Sequence, residues 1–508
     1  MDPSVAIFDV VIVGGGTAGC TQVLLIEAGD DLTDDPMTNL PLMGPSLMGT
    51  DTNWGFMTEP QLAVSRGGSS TMNGFAFLHN SRASIDAWAE LGNPGWDWIS
   101  FTKSVARFAL ASSPPAEGQS PLQITIPEED NQWPRVWRDT LANLGFLEHT
   151  APLSGDILGS LLAAETIDLE KRRSSAAKAY LSDRVQSRKN LTICTEALAT
   201  RILTEKDGTV KATEVILCAG AINSPRLLEL SGFGGNHRLQ RLGVQVVVDN
   251  PNVGENLQNH PMFTLNYEVV NLEGFETIDQ LLRRDPNAIA LAQKHLFSHF
   301  HEQFVRAHLT SPTEASGCYM TAPGFICFAG DKSTMPPPAG EEKYFTISVY
   351  LAHPLSRGSV HITSPDEPVS ASGIAIDPNY FGHPLDLEVL ARHVQLAEKI
   401  AMTEPLRTHL KLNGERGPCM SGPGGFADIQ TAKKYLRDVA VGTHHWVGTC
   451  AMMPEEKGGV VDHHLRVYGC PNLRVCDASI IPIAPRSNPQ GVIYAIAEHA
   501  SMKIISTM

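Results

Sequence analysis

FDVVIVGGGTAGCTQVLLIEAG, residues 8–29, is the stretch that decides the fold of this chain. Its apolar, mostly β-branched run Val10–Val13 is typical of a parallel strand that is buried on both faces. Three glycines at G-x-G-x-x-G spacing follow, namely Gly14, Gly16 and Gly19. Such glycines allow a tight turn and a close approach to a pyrophosphate, and the acidic Glu27 after the second apolar run can bind ribose hydroxyls. The stretch therefore predicts dinucleotide binding.

The two apolar runs are closer in sequence than such a unit requires. Parallel strands need a crossover of about a dozen residues or more, and the acidic residue normally follows the glycines by about 20 residues. Only Cys20, Thr21 and Gln22 separate Gly19 from Val23. Even fully extended, such a segment spans roughly 10 Å, which is less than the strand it must run back along. We expect either that the crossover helix is missing from this gene product or that the local fold differs from a Rossmann unit.

Length, charge and cysteine usage exclude several classes of protein. The 508 residues suffice for two or more domains with large cores, and the net charge of −16 argues against nucleic-acid or anionic-membrane surfaces. No apolar stretch reaches the ~18 residues of a membrane span. Because the first strand starts almost at once, without a basic region, we expect no signal peptide and a cytoplasmic location. The nine cysteines form no C-x-x-C pair, which favours reduced thiols.

A histidine-rich stretch invites a metal interpretation, which we reject. It contains His295, His299, His301 and His308. These residues lack carboxylate or cysteine partners at ligand spacing, so a solvated helix explains them better. We therefore predict no metal site.

Further motifs follow the glycine stretch in a fixed order. They are RGGSSTMNG (66–74), GAINSPRLLELSG (220–232), NVGENLQNHP (252–261), HWVGTC (445–450), LRVCDAS (473–479) and NPQ (488–490). Together they resemble the signatures of the glucose-methanol-choline (GMC) family of flavin-dependent oxidoreductases, over nearly the whole chain. The resemblance implies FAD as cofactor, a small-molecule alcohol as substrate, and oxygen or another electron acceptor.

The resemblance also implies an α/β plus α+β fold, with a discontinuous Rossmann-like FAD-binding domain and an antiparallel-sheet substrate-binding domain. Residues 1–261 are assigned to the FAD-binding domain, and residues 440–508 return to it with the catalytic histidine. Residues 262–439 lack a nucleotide signature. Their β-branched runs, such as 345–350, and the helical spacing of 385–403 are typical of an α+β domain.

The FAD-binding residues that the resemblance implies come from the glycine motif, the G-G-S-S-x-x-N loop and the ends of later strands. They are Gly14, Gly16, Thr17, Ala18, Gly19, Glu27, Gly68, Ser69, Asn73, Gly74, Ala197, Ala219, Asp477, Ala478, Pro489 and Gln490. For Asp477, capping of its strand is the alternative. A helix opened by Ser224 and Pro225 follows a buried strand, and its N-terminus can face the phosphates.

Alcohol oxidation needs a base for the hydroxyl proton and a hydrogen-bonding partner for the developing alkoxide. The resemblance assigns the base to His445, directly before x-V-G-T-C, and the partner to Asn488. Asn488 does not titrate, which leaves His445 as the base of the pair. We give its neighbour His444 a structural role. The family resemblance does not decide between oxidase and dehydrogenase, nor does it give the oligomeric state.

Two other functions remain open at this point. Some members of the family resemble oxidoreductases throughout yet act as hydroxynitrile lyases, and a basic histidine at this position would serve that proton transfer too. The short crossover suggests instead a catalytically impaired variant that binds FAD weakly. Two further short segments, at Arg66 and at residues 204–213, support this second alternative.

Overall fold

The computed structural model describes most of the chain in separate ranges. They are residues 8–14, 23–30, 56–58, 61–62, 73–78, 80–108, 110–111, 122–126, 132–149, 154–155, 158–205, 210, 212–266, 303–305, 307, 314–323, 325–328, 334–335, 344–367, 371–411 and 425–505. The histidine-rich stretch falls outside these ranges at all four of its histidines.

The described ranges contain both helices and strands. The strands are β1 Val10–Val13, β2 Val23–Ile26, β3 Met57–Thr58, β4 Gln61–Leu62, β5 Ala76–Phe77, β6 Leu110–Ala111, β7 Gln123–Ile124, β8 Ala164–Glu165, β9 Leu191–Cys194, β10 Glu214–Leu217, β11 Phe233–Gly234, β12 Val248–Asp249, β13 Pro261–Leu265, β14 Gly317–Pro323, β15 Cys327–Phe328, β16 Thr334–Met335, β17 Phe345–Leu351, β18 Ser359–Ile362, β19 Ile374–Asp377, β20 Val441–Gly442 and β21 Leu473–Val475. The helices are α1 Arg82–Glu90, α2 Trp98–Phe108, α3 Trp133–Asn143, α4 Ala176–Tyr180, α5 Asp183–Gln186, α6 Gly220–Leu230, α7 Asn236–Arg241, α8 Pro384–Ala401, α9 Ile429–Val439 and α10 Gln490–Ile505.

A parallel sheet of five strands forms the centre of the first domain, in the order β21-β10-β1-β2-β9. Every neighbouring pair in it is parallel. Strand β21 comes from the C-terminal part of the chain, whereas β1 and β2 come from its start. The predicted discontinuous Rossmann-like domain is therefore confirmed.

Strands β1 and β2 pair directly, with Val10 opposite Val23 and Val13 opposite Ile26. This is the strand arrangement of a Rossmann unit, although only residues 14–22 join the two strands. Residues 15–22 lie outside the described ranges. The short connection that the sequence shows therefore coexists with parallel pairing of the strands.

Burial along β1 and β2 differs from the prediction. Val10 and Ile12 are buried, but Val11 and Val13 are only half-buried, and β2 repeats this alternation. The expected burial on both faces is therefore wrong for these strands, whereas β10 is buried at all four positions. Crossover helices normally cover the faces of a parallel sheet, and the connection between β1 and β2 is too short for one of ordinary length.

An antiparallel sheet in the order β14-β17-β13-β20 forms the second domain. All seven residues of β17 are buried, and α8 packs on this strand. The shared core contains Phe263, Ile347, Val349 and Leu390. The predicted antiparallel substrate domain is thus confirmed as a fold, while its boundaries stay predictions. Strand β20 joins this sheet from beyond residue 440, because it pairs with β13.

The described ranges contain neither a metal-binding group of side chains nor a membrane-spanning helix. Within them, no group of His, Cys, Asp and Glu side chains is arranged to hold a metal ion. None of the helices in these ranges combines the length and apolar character needed to cross a membrane.

His393 attaches α8 to β14 through polar contacts inside the second domain. Its Nε2 lies 3.0 Å from the Ser316 hydroxyl and its Nδ1 lies 2.7 Å from the Tyr319 hydroxyl. The side chain is buried, and desolvation lowers its pKa from 6.5 to about 4. The folded protein therefore holds His393 neutral at pH values where the unfolded chain protonates it.

This difference makes His393 a source of acid sensitivity. As the pH falls from about 6.5 towards about 4, the unfolded chain binds a proton that the folded protein refuses, so the wild type loses stability. His393→Asn removes this loss. The difference in free energy of unfolding between wild type and variant should shrink by up to about 3 kcal/mol over that range. Urea unfolding at several pH values measures it, and parallel stability curves would contradict the assignment.

Candidate active site

The ring of His445 lies between two polar side chains. Its Nδ1 is 2.8 Å from Nδ1 of His260, and its Nε2 is 3.2 Å from Nδ2 of Asn488. Its backbone N–H donates to Oδ1 of Asn259 at 2.9 Å. Tyr350 packs edge-on against the imidazole, with ring centroids 5.6 Å apart. The structure thus brings together both predicted catalytic residues, His445 and Asn488.

The antiparallel sheet explains this meeting of distant residues. His260 directly precedes β13, and His445 follows β20 closely, so the pairing of Pro261 with Gly442 brings the two histidines together. Strand β17 lies on the other side of β13 and contributes Tyr350. Asn488 comes from the turn that enters α10.

His445 is neutral at neutral pH. Desolvation lowers its pKa well below the usual range, and the neighbouring rings of His260 and His444 lower it further. Buried His260 has a pKa of about 4, again because of desolvation, although hydrogen bonding to the backbone of Pro485 and Ala352 acts in the opposite direction. A neutral imidazole has an unprotonated ring nitrogen and can therefore accept a proton. His444, in contrast, is exposed and adopts a φ of 60°.

Sequence reasoning missed His260 and Tyr350 as members of this site. His260 lies within the motif NVGENLQNHP, which offered one signal, but nothing in that motif identifies a contact 185 residues away. Tyr350 lies in a buried strand and has the sequence character of a core residue. Its hydroxyl donates to Oδ1 of Asn488 at 3.3 Å.

A second group of predicted residues lies at the carboxyl ends of the parallel strands. Its described members are Gly14, Glu27, Ala197, Ala219, Asp477 and Ala478. Gly14 has a φ of 106°, and a Cβ there would lie 2.3 Å from the Cys218 carbonyl oxygen, so this position requires glycine. The Glu27 carboxylate accepts from the Gly29 N–H at 2.7 Å, while the Glu27 carbonyl accepts from the Ala197 N–H.

Asp477 occupies the N-terminus of α6. One carboxylate oxygen accepts from the Gly220 N–H at 2.9 Å and from the Ser224 hydroxyl at 2.5 Å. The other accepts from the Ser479 N–H at 2.7 Å. Both oxygens therefore accept hydrogen bonds within the protein, which favours a capping role, while contact of Asp477 with FAD stays a prediction. Of the backbone N–H groups at this helix end, the carboxylate accepts from that of Gly220, and the expectation that the helix end faces the phosphates stays a prediction.

The other predicted cofactor residues divide into two groups. Asn73 is described, and its Oδ1 accepts from the Phe75 N–H and from Arg173 at 2.9 Å. Pro489 and Gln490 lie at the start of α10, and the Gln490 amide lies 3.4 Å from the Thr166 hydroxyl. The residues outside the described ranges are Gly16, Thr17, Ala18, Gly19, Gly68 and Ser69.

Comparison with protein families decides what this arrangement is. Two family models described as GMC oxidoreductase match residues 8–262 and 354–497. The chain belongs to the GMC oxidoreductase family. The predicted recognition is confirmed, and with it FAD as the cofactor of the family.

Relatives match this GMC oxidoreductase along almost its whole length. The GMC oxidoreductase family protein Mala s 12 of Malassezia sympodialis is 29% identical, over 97% of this chain and 92% of its own. Dehydrogenase mpl7 of Monascus purpureus is 30% identical, over 97% and 95%. The crystal structure of pyridoxine 4-oxidase from Mesorbium loti has a TM-score of 0.78 at 25% identity, over 98% and 99%.

The alignments show that this GMC oxidoreductase is internally shortened. They extend over 587 and 618 positions, which exceeds the 508 residues of the chain. The relatives therefore contain segments without a counterpart here, as the short connection between β1 and β2 also indicates.

The described residues fit FAD at the carboxyl edge of the parallel sheet. Ligands of such sheets bind in the crevice beyond the strand ends. A Cβ added at Gly74 or Gly220 would meet no atom within 4 Å, so the backbone leaves space at both positions. Glu27 supplies the acidic group at the end of β2. The connection of residues 14–22 is shorter than the crossover that normally carries the helix N-terminus at a pyrophosphate.

We expect the chain as written to bind FAD weakly for this reason. Inserting about a dozen helix-forming residues between Cys20 and Val23 should raise the flavin content of the purified protein. An insertion of equal length made of glycine and serine is the matched control, since it adds reach without a helix dipole. Flavin per protein, from absorbance after gel filtration, measures the effect. A full complement of FAD in the unmodified chain would show that the helix is dispensable.

Proposed function

We propose that this GMC oxidoreductase oxidises the CH–OH group of a small-molecule alcohol, with His445 as the catalytic base. One observation carries the proposal: His445 Nε2 lies 3.2 Å from the side-chain amide of Asn488, in a setting whose desolvation lowers the pKa of His445 well below its usual range. This places a proton acceptor beside a hydrogen-bond donor, which is the pair that removal of a hydroxyl proton requires.

Bound FAD supplies the acceptor for the hydride that leaves the alcohol carbon. In the protein, His445 Nε2 takes the hydroxyl proton. Asn488 Nδ2 carries two hydrogens, so it can donate to the oxygen that gains negative charge. Asn259 holds the backbone of His445 in place through its side-chain oxygen. Of the described residues, Glu27, Asn73 and Ala219 are proposed to contact FAD.

The comparisons support the reaction class more than the substrate. The names of relatives include a dehydrogenase and an oxidase, both consistent with removal of hydride. We propose oxygen or another acceptor for the second half of the reaction. A catalytically impaired enzyme is the second candidate, and the short connection between β1 and β2 favours it. Assays of the form carrying the helical insertion separate the two.

His445→Ala should slow reduction of the flavin by alcohol by ~10²-fold or more, because a general base contributes about that much. Stopped-flow absorbance on flavin-loaded protein measures it. His237→Ala is the control, since His237 is an exposed histidine of α7 and this variant should retain a rate close to that of the wild type. Equal rates for wild type and His445→Ala would overturn the proposed base. Cyanohydrin cleavage without flavin reduction would point to a lyase instead.

Asn488 should act through a hydrogen bond to developing negative charge. Asn488→Ala should therefore reduce the rate less than His445→Ala does, because water can replace one hydrogen bond. Asn488→Asp should be slower than Asn488→Ala, since a carboxylate repels an alkoxide. The same stopped-flow experiment orders the three variants. A faster Asp variant would show that Asn488 does not face the alkoxide.

A further inference from the structure

Four side chains form one continuous hydrogen-bonded series in the candidate site. The Tyr350 hydroxyl lies 3.3 Å from Asn488 Oδ1, and Asn488 Nδ2 lies 3.2 Å from His445 Nε2. His445 Nδ1 lies 2.8 Å from His260 Nδ1. Strand β17 and the segments next to β13, β20 and α10 contribute these residues, so the series exists only in the folded protein.

The chemistry of the amide determines where the hydrogens lie. Nδ2 of Asn488 can only donate, so His445 Nε2 must be the acceptor and carries no hydrogen. A neutral imidazole then has its hydrogen on Nδ1, and His445 Nδ1 donates to His260 Nδ1. His260 in turn holds its own hydrogen on Nε2. In this arrangement Tyr350 donates to the amide oxygen, which is the amide orientation on which the assignment depends.

We propose that His260 is a positioning residue that keeps the resting hydrogen of His445 on Nδ1, leaving Nε2 as the atom that accepts the substrate proton. The inference rests on the proposed function. The alcohol hydroxyl takes the place of Asn488 Nδ2 as the donor to His445 Nε2, and when the O–H bond breaks the proton forms a bond to that nitrogen. The positive imidazole keeps its Nδ1–H, which His260 Nδ1 continues to accept. No other proton has to move.

The surroundings hold the ring of His260 in the required plane. It stacks on Tyr350 with centroids 5.0 Å apart and an interplanar angle of 22°. The His445 ring stands at 80° to it. Tyr350 therefore acts twice, since its ring orients His260 while its hydroxyl orients Asn488.

Two variants of His260 separate positioning from packing. His260→Phe keeps an aromatic ring beside Tyr350 but removes the acceptor, whereas His260→Asn retains a side-chain oxygen near the position of Nδ1. On flavin-loaded protein, the Phe variant should lower kcat by ~10-fold or more with little change in KM, and the Asn variant should recover most of the rate. His499→Asn is the control, because His499 contacts Ser104 and Trp96 instead.

A second measurement does not depend on activity. Nitrogen-15 NMR of ring-labelled histidine distinguishes protonated from unprotonated ring nitrogens, and His445→Ala assigns the signals. The wild type should show His445 unprotonated at Nε2, and His260→Phe should shift the hydrogen towards Nε2. Tyr350→Phe gives an independent variant if the His260 variants do not fold. It should also shift the hydrogen of His445 from Nδ1 towards Nε2.

The outcomes separate this inference from the proposed function. If His445→Ala abolishes activity while His260→Phe leaves both the rate and the NMR signals unchanged, His260 has no positioning role. A wild-type His445 protonated at Nε2 would overturn the proposed hydrogen arrangement directly. Equal losses in the Phe and Asn variants, with unchanged signals, would reduce His260 to a packing residue. Retained activity in His445→Ala would instead refute the proposed base.

Discussion

The pairing of β13 with β20 is the interaction on which the candidate site depends. It is short, joining Pro261 to Gly442 and Met262 to Val441. Nevertheless it brings two chain segments, separated by the whole substrate domain, to within hydrogen-bonding distance at His260 and His445. Because β13 also pairs with β17, a single strand positions three of the four polar groups of the site. Loss of its register would separate the base from its partners even if both domains stayed folded.

A buried polar network connects α6, which follows the parallel strand β10, to β18 of the two-stranded β18-β19 sheet. Glu229 on α6 accepts from the backbone N–H of Ile362, and its other oxygen lies 2.9 Å from Nδ1 of His361. The far nitrogen of that ring lies 3.0 Å from Glu255. Desolvation raises the pKa of Glu229 to about 7, although the Ile362 N–H and Arg238 act against it. A buried carboxyl group needs such partners, since leaving it unsatisfied costs several kcal/mol. The network therefore restricts how β18 can sit on α6.

Strands β1, β2, β10 and β21 were predictable because they are largely apolar runs followed closely by glycine or an acidic residue. The glycine at position 14 was part of the predicted motif. The structure explains it, since a residue with positive φ next to a carbonyl oxygen cannot carry a Cβ without strain. The sequence did not predict that one face of β1 is only half-buried, because burial depends on which elements pack on that face. The contact of the α6 N-terminus with Asp477 was not predictable either, since Asp477 lies 257 positions beyond Gly220 in the chain.

The sequence by itself determined the residue types and the order of the motifs, and hence the family, the cofactor and the identity of the two catalytic candidates. The sequence also determined that the connection between β1 and β2 is short, because the number of residues between two strands can be counted in it. Only the tertiary structure decided which groups surround His445. The physical reason is that hydrogen bonds are directional and act within about 3 Å. The sequence shows that an imidazole and an amide are present. The fold determines which of their atoms face each other and therefore which ring nitrogen carries the hydrogen.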